Sequence, residues 1–220
     1  MRRCVIFDMD GVIIDSEPIH MACEKKIFQL LGISVSEKEH NNLIGTTDEI
    51  MWSIIGYLYE LPIPVIEIIQ LKKSLYMEYI KKETNLRPIP YISELIVDLY
   101  KNNFSLALAS SSPHEQINYI LENLGIKRYF HSTISGEDVK EGKPHPEIFL
   151  KAARSVGIDP ESCVVIEDSH NGVTAAKNAN MKCIGYKNPN SGNQDLSNAD
   201  ITVLSLKKIS GALVKNVLNN

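Results

Sequence analysis

The chain has 220 residues, of which 44% are hydrophobic and 23% are charged, and its formal net charge at pH 7 is −4. This composition is typical of a folded globular protein and excludes an intrinsically disordered chain. The lack of a basic excess argues against dedicated nucleic-acid binding. The apolar stretches are far shorter than the ~18 residues that a membrane-spanning helix needs. The length fits one large domain, or one domain that carries an insertion.

The amino terminus briefly imitates a signal peptide, because two arginines precede an apolar run. Asp8 and Asp10 interrupt this run before a hydrophobic region forms, so we expect a cytoplasmic protein. The cysteines form no C-x-x-C pair and are expected to be reduced and buried. They are Cys4, Cys23, Cys163 and Cys183. The sequence gives no sign of an obligate protein partner.

Short apolar runs without alternation predict strands that are buried on both faces. They lie at residues 3–8, 105–109, 132–135, 163–166, 182–186 and 200–203. Helical patterns separate most of these runs. They cover residues 91–101, 113–124, 146–156 and 170–180. Strands that alternate with helices predict an α/β fold with a parallel sheet and helices on both faces.

Residues 17–84 break this alternation and contain no convincing strand. They predict helices at 17–31, 36–43, 47–60 and 64–83, separated by Gly32, Gly45 and the prolines Pro62 and Pro64. A helical block of this length is too long for a crossover helix. We therefore predict an inserted all-helical cap at 17–84 and a core domain formed by 1–16 and 85–220.

A D-x-D-G motif follows the first predicted strand, with Asp8 at the strand end, Asp10 in the turn and Gly11 able to adopt a tight backbone conformation. Two carboxylates at this spacing can serve one hard cation and one reaction. Asp8 is placed to ligate Mg²⁺ and attack phosphorus, and Asp10 to protonate a leaving group. The alternative is an Asx turn that caps the next element.

The adjacent acids Glu167 and Asp168 end the fourth predicted strand. Adjacent carboxylates repel each other unless a cation lies near them. This suggests metal ligation, mainly by Asp168, with Glu167 in a supporting role. The alternative is a helix cap, for which Ser169 is the better residue, while Gly172 is suited to close packing.

Lys143 precedes Pro144, which restricts it to an extended backbone. A rigidly presented ammonium can neutralise a phosphate oxygen and a nearby carboxylate. The alternative is an exposed loop lysine.

Serines follow the second predicted strand. Ser112, the following proline and Glu115 predict a helix start, with Ser112 as N-cap and Glu115 completing a capping box. Ser110, at the strand end, remains free to bond a phosphoryl oxygen.

These candidates lie at the carboxyl ends of predicted parallel strands, or in the loop after one. That edge of an open α/β sheet is where ligands bind. A nucleophile, metal carboxylates, a cation and a hydroxyl donor together suit phosphoryl transfer.

On these motifs the sequence resembles the haloacid dehalogenase superfamily, in the branch with a helical cap, over nearly the whole chain. The motifs are Asp8-Met-Asp-Gly-Val-Ile-Ile-Asp-Ser-Glu-Pro18, Ala109-Ser-Ser-Ser112, Gly142-Lys-Pro-His-Pro-Glu147 and Glu167-Asp-Ser-His-Asn-Gly172. The resemblance implies a Rossmann-like core and a cap that opens and closes.

The resemblance also implies roles for individual residues. Asp8 is then the nucleophile that becomes an aspartyl-phosphate, and Asp10 is the general acid/base whose backbone carbonyl also faces Mg²⁺. The phosphoryl group is bound by Ser110, Ser111 and Lys143. Asp168 completes the Mg²⁺ site, with Glu167 near it.

Within the superfamily, the sequence is similar to β-phosphoglucomutases and to small sugar-phosphate phosphatases. Residues 15–18 and His20, a supporting candidate, fit both. The mutases carry a cap arginine for a second phosphate, and this chain has Asp48 at the aligned position, where a carboxylate would repel that phosphate. We therefore expect a Mg²⁺-dependent phosphatase for a small phosphate ester, with a mutase as the alternative.

Two further expectations concern an alternative function and the burial of three residues in the predicted cap. A non-enzymatic phospho-acceptor, like a response-regulator receiver, is disfavoured because such modules place the acid pair after the first strand. In the cap, Trp52 is expected in the core, whereas Glu24 and Lys72 are expected on solvated helix faces.

Overall fold

The computed structural model describes residues 2–43, 46–82 and 86–219. The chain divides into two compact units, Met1–Asp15 with Leu86–Asn220, and Ser16–Asn85. The helix break predicted at Gly45 and the domain boundary predicted between residues 84 and 85 lie outside the described residues.

The larger unit contains a parallel sheet. In chain order its strands are β1 (Cys4–Phe7), β2 (Ser105–Ser110), β3 (Ser132–Ser135), β4 (Cys163–Glu167), β5 (Lys182–Tyr186) and β6 (Ile201–Val203). The spatial order is β3-β2-β1-β4-β5-β6, so β1 lies between β2 and β4. The predicted Rossmann-like sheet is confirmed, and its strand ends bring distant parts of the sequence to one edge.

Helices account for most of the remaining described residues. They are α1 (Glu17–Leu30), α2 (Glu37–Asn41), α3 (Asp48–Leu58) and α4 (Val65–Lys82) in the smaller unit, and α5 (Ile92–Lys101), α6 (His114–Asn123), α7 (Glu147–Val156), α8 (His170–Asn178) and α9 (Gly211–Asn219) in the larger. Helix α9 was not predicted from the sequence.

The two faces of the sheet are covered by different helices, because successive strand side chains point to opposite faces. Val5 and Phe7 of β1 join an apolar cluster with residues of α5, α6 and α9. Cys4 and Ile6 join the other cluster, with residues of α7 and α8. Both faces are therefore buried, as the non-alternating strand patterns predicted. The four cysteines are buried free thiols.

In the smaller unit, helices are the only regular secondary structure among the described residues between 17 and 82. Its apolar core includes Ile27, Trp52, Ile55 and Ile68, and Trp52 is fully buried, as predicted. Among the described residues, no helix is both long enough and apolar enough to cross a membrane.

A largely buried charged cluster joins the helices of this unit, and each of the four helices named above contributes one side chain. Lys72 Nζ on α4 lies 2.6 Å from Glu24 Oε1 on α1 and 2.5 Å from Asp48 Oδ1 on α3. His40 Nε2 on α2 lies 2.5 Å from Glu24 Oε2. The prediction that Glu24 and Lys72 face solvent is wrong, because each supplies the opposite charge that the other needs in order to be buried.

Candidate active site

Three buried carboxylates meet where β1 and β4 end. Asp8 follows β1 and its backbone N–H donates to the carbonyl of Ile166 on β4 at 3.0 Å. Glu167 is the last residue of β4 and Asp168 follows it. Asp8, Glu167 and Asp168 each offer an oxygen, and these oxygens lie within 4.8 Å of one another. The pairing of β1 with β4 thus assembles acids that are far apart in the sequence.

Lys143 is the cation of this cluster. Its Nζ lies 2.7 Å from Asp8 Oδ1, 2.7 Å from Glu167 Oε1 and 3.3 Å from the carbonyl of Ala109. Its side chain is only 7% exposed and passes over the ring of Phe149. The alternative of an exposed loop lysine is therefore excluded.

Both carboxylate oxygens of Glu167 are hydrogen-bonded, Oε1 by Lys143 and Oε2 by Ser169. Its Oε2 accepts hydrogen bonds from the backbone N–H of Ser169 at 2.7 Å and from the Ser169 hydroxyl at 2.9 Å. Ser169 also caps α8, since its Oγ accepts from the N–H of Gly172 at 3.0 Å, as predicted. A Cβ at Gly172 would lie 1.7 Å from Glu167 Oε1, so only glycine fits there.

Gly11 is the second glycine that the site requires. Its φ is +78°, and a Cβ at this position would lie 1.9 Å from Asp168 Oδ2. The glycine of the D-x-D-G motif thus serves both the turn and the close approach of Asp168.

Asp10 is hydrogen-bonded by Ser112, which the sequence predicts to be a helix N-cap. The Ser112 hydroxyl donates to Asp10 Oδ2 at 2.8 Å, and the Ser112 N–H donates to Ser110 Oγ at 3.0 Å. The prediction of Ser112 as helix cap is wrong, because α6 begins at His114 with Pro113 in the N-cap position. Ser110 is fully buried, whereas Ser111 is exposed.

The loop after β5 adds contacts that the sequence did not indicate. The Asn188 side-chain amide donates to the carbonyl of Gly11 at 2.9 Å, and the Ser191 hydroxyl donates to Asp168 Oδ2. Residues 187–192 have the composition of a turn, which predicts a loop but not its destination. His20, the remaining candidate, lies on α1 in the smaller unit, where its ring packs against Tyr76.

The electrostatics of the cluster follow from burial. Burial raises the pKa of Asp8 to about 7; Lys143 opposes this shift, while the charges of Glu167 and Asp10 add to it. Burial, with repulsion from Glu167 and Asp8, also raises the pKa of Asp168 well above its usual range. Burial alone would lower the pKa of Lys143, but Asp8 and Glu167 outweigh it and the pKa is raised.

This donor set fits a divalent metal ion. Three carboxylates face one ammonium, so ionising all of them leaves surplus negative charge in a buried site. Carboxylate oxygens are ligands that Mg²⁺ prefers. Both Glu167 oxygens already bond Lys143 and Ser169, so Asp8 and Asp168 are better placed as direct ligands.

Comparisons with known proteins agree with these features. A family model described as haloacid dehalogenase-like hydrolase matches residues 5–186. A phosphorylated carbohydrates phosphatase of Thermotoga maritima is 33% identical over 83% of each chain. A β-phosphoglucomutase of Bacillus subtilis is 32% identical over 83% of this chain and 82% of its own. A crystal structure of β-phosphoglucomutase from Clostridium difficile is 28% identical, with a TM-score of 0.82 over 100% of this chain and 98% of that one.

Proposed function

The chain belongs to the haloacid dehalogenase-like hydrolases, and from this membership we propose that it is a phosphatase acting on a small sugar phosphate through a phosphorylated Asp8. The observation that carries the proposal is the contact of Lys143 with both Asp8 and Glu167 in a buried acidic cluster. A carboxylate beside a fixed ammonium is suited to attack a phosphoryl group, because the ammonium offsets the charge that the two bring together.

The reaction has two displacements at phosphorus. In the first, an Asp8 carboxylate oxygen bonds to phosphorus, the bond to the sugar oxygen breaks, and Asp10 donates a proton to that oxygen. In the second, water attacks the aspartyl-phosphate and Asp10 takes a proton from the water. The bond between phosphorus and Asp8 then breaks, which releases phosphate and restores the free carboxylate.

The other residues hold the phosphoryl group and its charge. Lys143 and the hydroxyl of Ser110 bind phosphoryl oxygens, and the exposed Ser111 assists at the rim. Asp8 and Asp168 would hold Mg²⁺, with Glu167 beside them and the Asp10 backbone carbonyl as a further ligand that the family resemblance implies. The bound ion supplies positive charge that offsets the carboxylates and the phosphate.

Asp48 favours hydrolysis over mutase activity. The mutases of this family use an arginine at the aligned position for a second phosphate. Here the carboxylate of Asp48 pairs with Lys72 inside the helical unit. The position therefore lacks the arginine with which a mutase of this family holds its second phosphate.

One assay separates the two activities. The protein is incubated with Mg²⁺ and a panel of sugar phosphates that includes β-glucose 1-phosphate, and both inorganic phosphate and glucose 6-phosphate are measured. We expect phosphate release, and the Asp8→Asn variant should release none. Formation of glucose 6-phosphate that depends on a bisphosphate activator would replace the proposal with the mutase. A stable phosphorylated protein without turnover would favour a phospho-acceptor module.

A further inference from the structure

All polar groups of Ser112 are engaged in hydrogen bonds. Its N–H donates to Ser110 Oγ, its hydroxyl donates to Asp10 Oδ2, and its carbonyl accepts from Ser135 Oγ at 2.7 Å. Ser110 and Ser135 are register partners at the carboxyl ends of β2 and β3. The ends of two sheet strands, rather than helix α6, therefore fix the position of Ser112.

The support behind Ser112 is itself tightly packed. Ser135 is fully buried, and its Oγ also accepts from the N–H of Glu137 at 3.1 Å. A Cβ at Gly136 would lie 2.5 Å from the carbonyl oxygen of Ser111, so the segments after β2 and β3 are in contact. A group that is supported in this way holds its partner in one orientation.

A hydroxyl is well suited to a carboxyl group that gains and loses a proton. It can donate to the ionised carboxylate and accept from the protonated acid, so one side chain serves both states. The Ser112 hydroxyl is bonded to Oδ2 of Asp10 and so restrains the rotation of the carboxyl group.

We infer that Ser112 is a positioning residue that orients Asp10 for proton transfer. This inference rests on the function proposed above, in which Asp10 protonates the leaving oxygen. It goes beyond the phosphate-binding role of the neighbouring serines, because Ser112 acts through Asp10 and not on the phosphoryl group.

The leaving group provides the test. A sugar alkoxide needs a proton as it departs, whereas p-nitrophenolate departs without one. In the first turnover, we expect Ser112→Ala to release the sugar about tenfold more slowly. The same variant should release p-nitrophenol from p-nitrophenyl phosphate within about twofold of the wild-type rate, and KM for the sugar phosphate should stay within about twofold.

Three further variants make the result specific. Ser112→Thr, which keeps the hydroxyl, should release the sugar at about the wild-type rate. In an Asp10→Asn background, Ser112→Ala should add little, because the group it orients has lost its function. Ser155→Ala removes a hydroxyl that bonds the Ala152 carbonyl on α7, and it should leave all rates unchanged.

Several results would overturn the inference. They are equal slowing with both esters, a change in KM alone, no change, and full additivity with Asp10→Asn. The first two would assign Ser112 to phosphate binding through Ser110. A wild-type protein that hydrolyses neither ester would remove the proposed function and this inference with it. An active wild type with any of the four results removes this inference alone.

Discussion

Lys143 Nζ lies 2.7 Å from Asp8 Oδ1, although 135 residues separate the two in the sequence. Asp8 directly follows β1, and Lys143 lies in the loop between β3 and α7. The pair is buried, so each charge depends on the other, and a second contact to Glu167 shares the same ammonium. We therefore expect both the stability of the fold and the proposed reaction to depend on the Lys143 side chain.

Replacing Lys143 by Met should damage both properties. The change leaves two buried carboxylates without their cation, and we expect a loss of about 3–5 kcal/mol in the free energy of unfolding. Urea unfolding followed by circular dichroism gives this value, and phosphate release should fall to background. Lys140→Met, at an exposed position in the same loop, is the matched control and should change stability by less than about 0.5 kcal/mol. Equal effects of the two variants would contradict the buried pair.

Mg²⁺ should stabilise the folded protein, because its ligands come together only in the native state. At a concentration roughly 100-fold above the dissociation constant, Tm should rise by about 5–10 °C. The rise should disappear with EDTA and in Asp168→Asn, and sodium chloride of equal ionic strength should not reproduce it. A full rise in Asp168→Asn would place the ion elsewhere.

Gly172→Ala should destabilise the larger unit. The added methyl would lie 1.7 Å from Oε1 of Glu167, which cannot move without leaving Lys143 or Ser169. We expect a loss of more than about 2 kcal/mol in the free energy of unfolding, together with lower activity. Gly56→Ala on α3 is the control, since an added methyl there meets no described atom within 4 Å. Similar unfolding midpoints for the two variants would argue against the close packing at Gly172.

The fold and most of the candidate site could be predicted because both depend on local patterns. Strand runs, helix periodicity and acidic residues at strand ends are visible in the sequence, and the ends of parallel strands share one edge. The prediction that Ser112 caps a helix was wrong because the same residues are also compatible with a turn in which Pro113 precedes the helix. The contact of Ser112 with Asp10 arises from the packing of β2 beside β1, which no local pattern encodes.

The buried positions of Glu24 and Lys72 were missed for a related reason. A charged residue on a helix is normally solvated, and its burial depends on opposite charges from other helices. His40 lies 16 residues after its partner Glu24, and Asp48 lies 24 residues before its partner Lys72. Asn188 and Ser191 were missed because turn composition does not show where a loop leads.

The charged cluster of Glu24, His40, Asp48 and Lys72 should make stability depend on pH in a defined direction. Burial alone would raise the pKa of Glu24, but hydrogen bonding to His40 and the charge of Lys72 outweigh it, so the pKa lies below its ordinary value of 4.5. The folded state therefore holds the charged form more strongly than the unfolded state. This contribution is complete above about pH 4.5 and is lost as the pH falls through the lowered pKa.

Glu24→Gln tests this direction, and the single tryptophan, Trp52, reports on the helical unit directly. By Trp52 fluorescence in urea, the variant should be less stable than the wild type at pH 7, and the difference should shrink as the pH falls below 4.5. Glu49→Gln, at an exposed position on α3, is the control and should track the wild type. A difference between Glu24→Gln and the wild type that stays constant over the whole pH range would contradict the assignment.

The sharing of one charged cluster among four helices has a consequence for protein engineering. Grafting a single helix of this unit from a homologue would leave a carboxylate or ammonium of the cluster without its counterion. A chimera that exchanges these helices should therefore transplant the whole smaller unit, with its junctions at residues 15/16 and 85/86, where the two compact units divide.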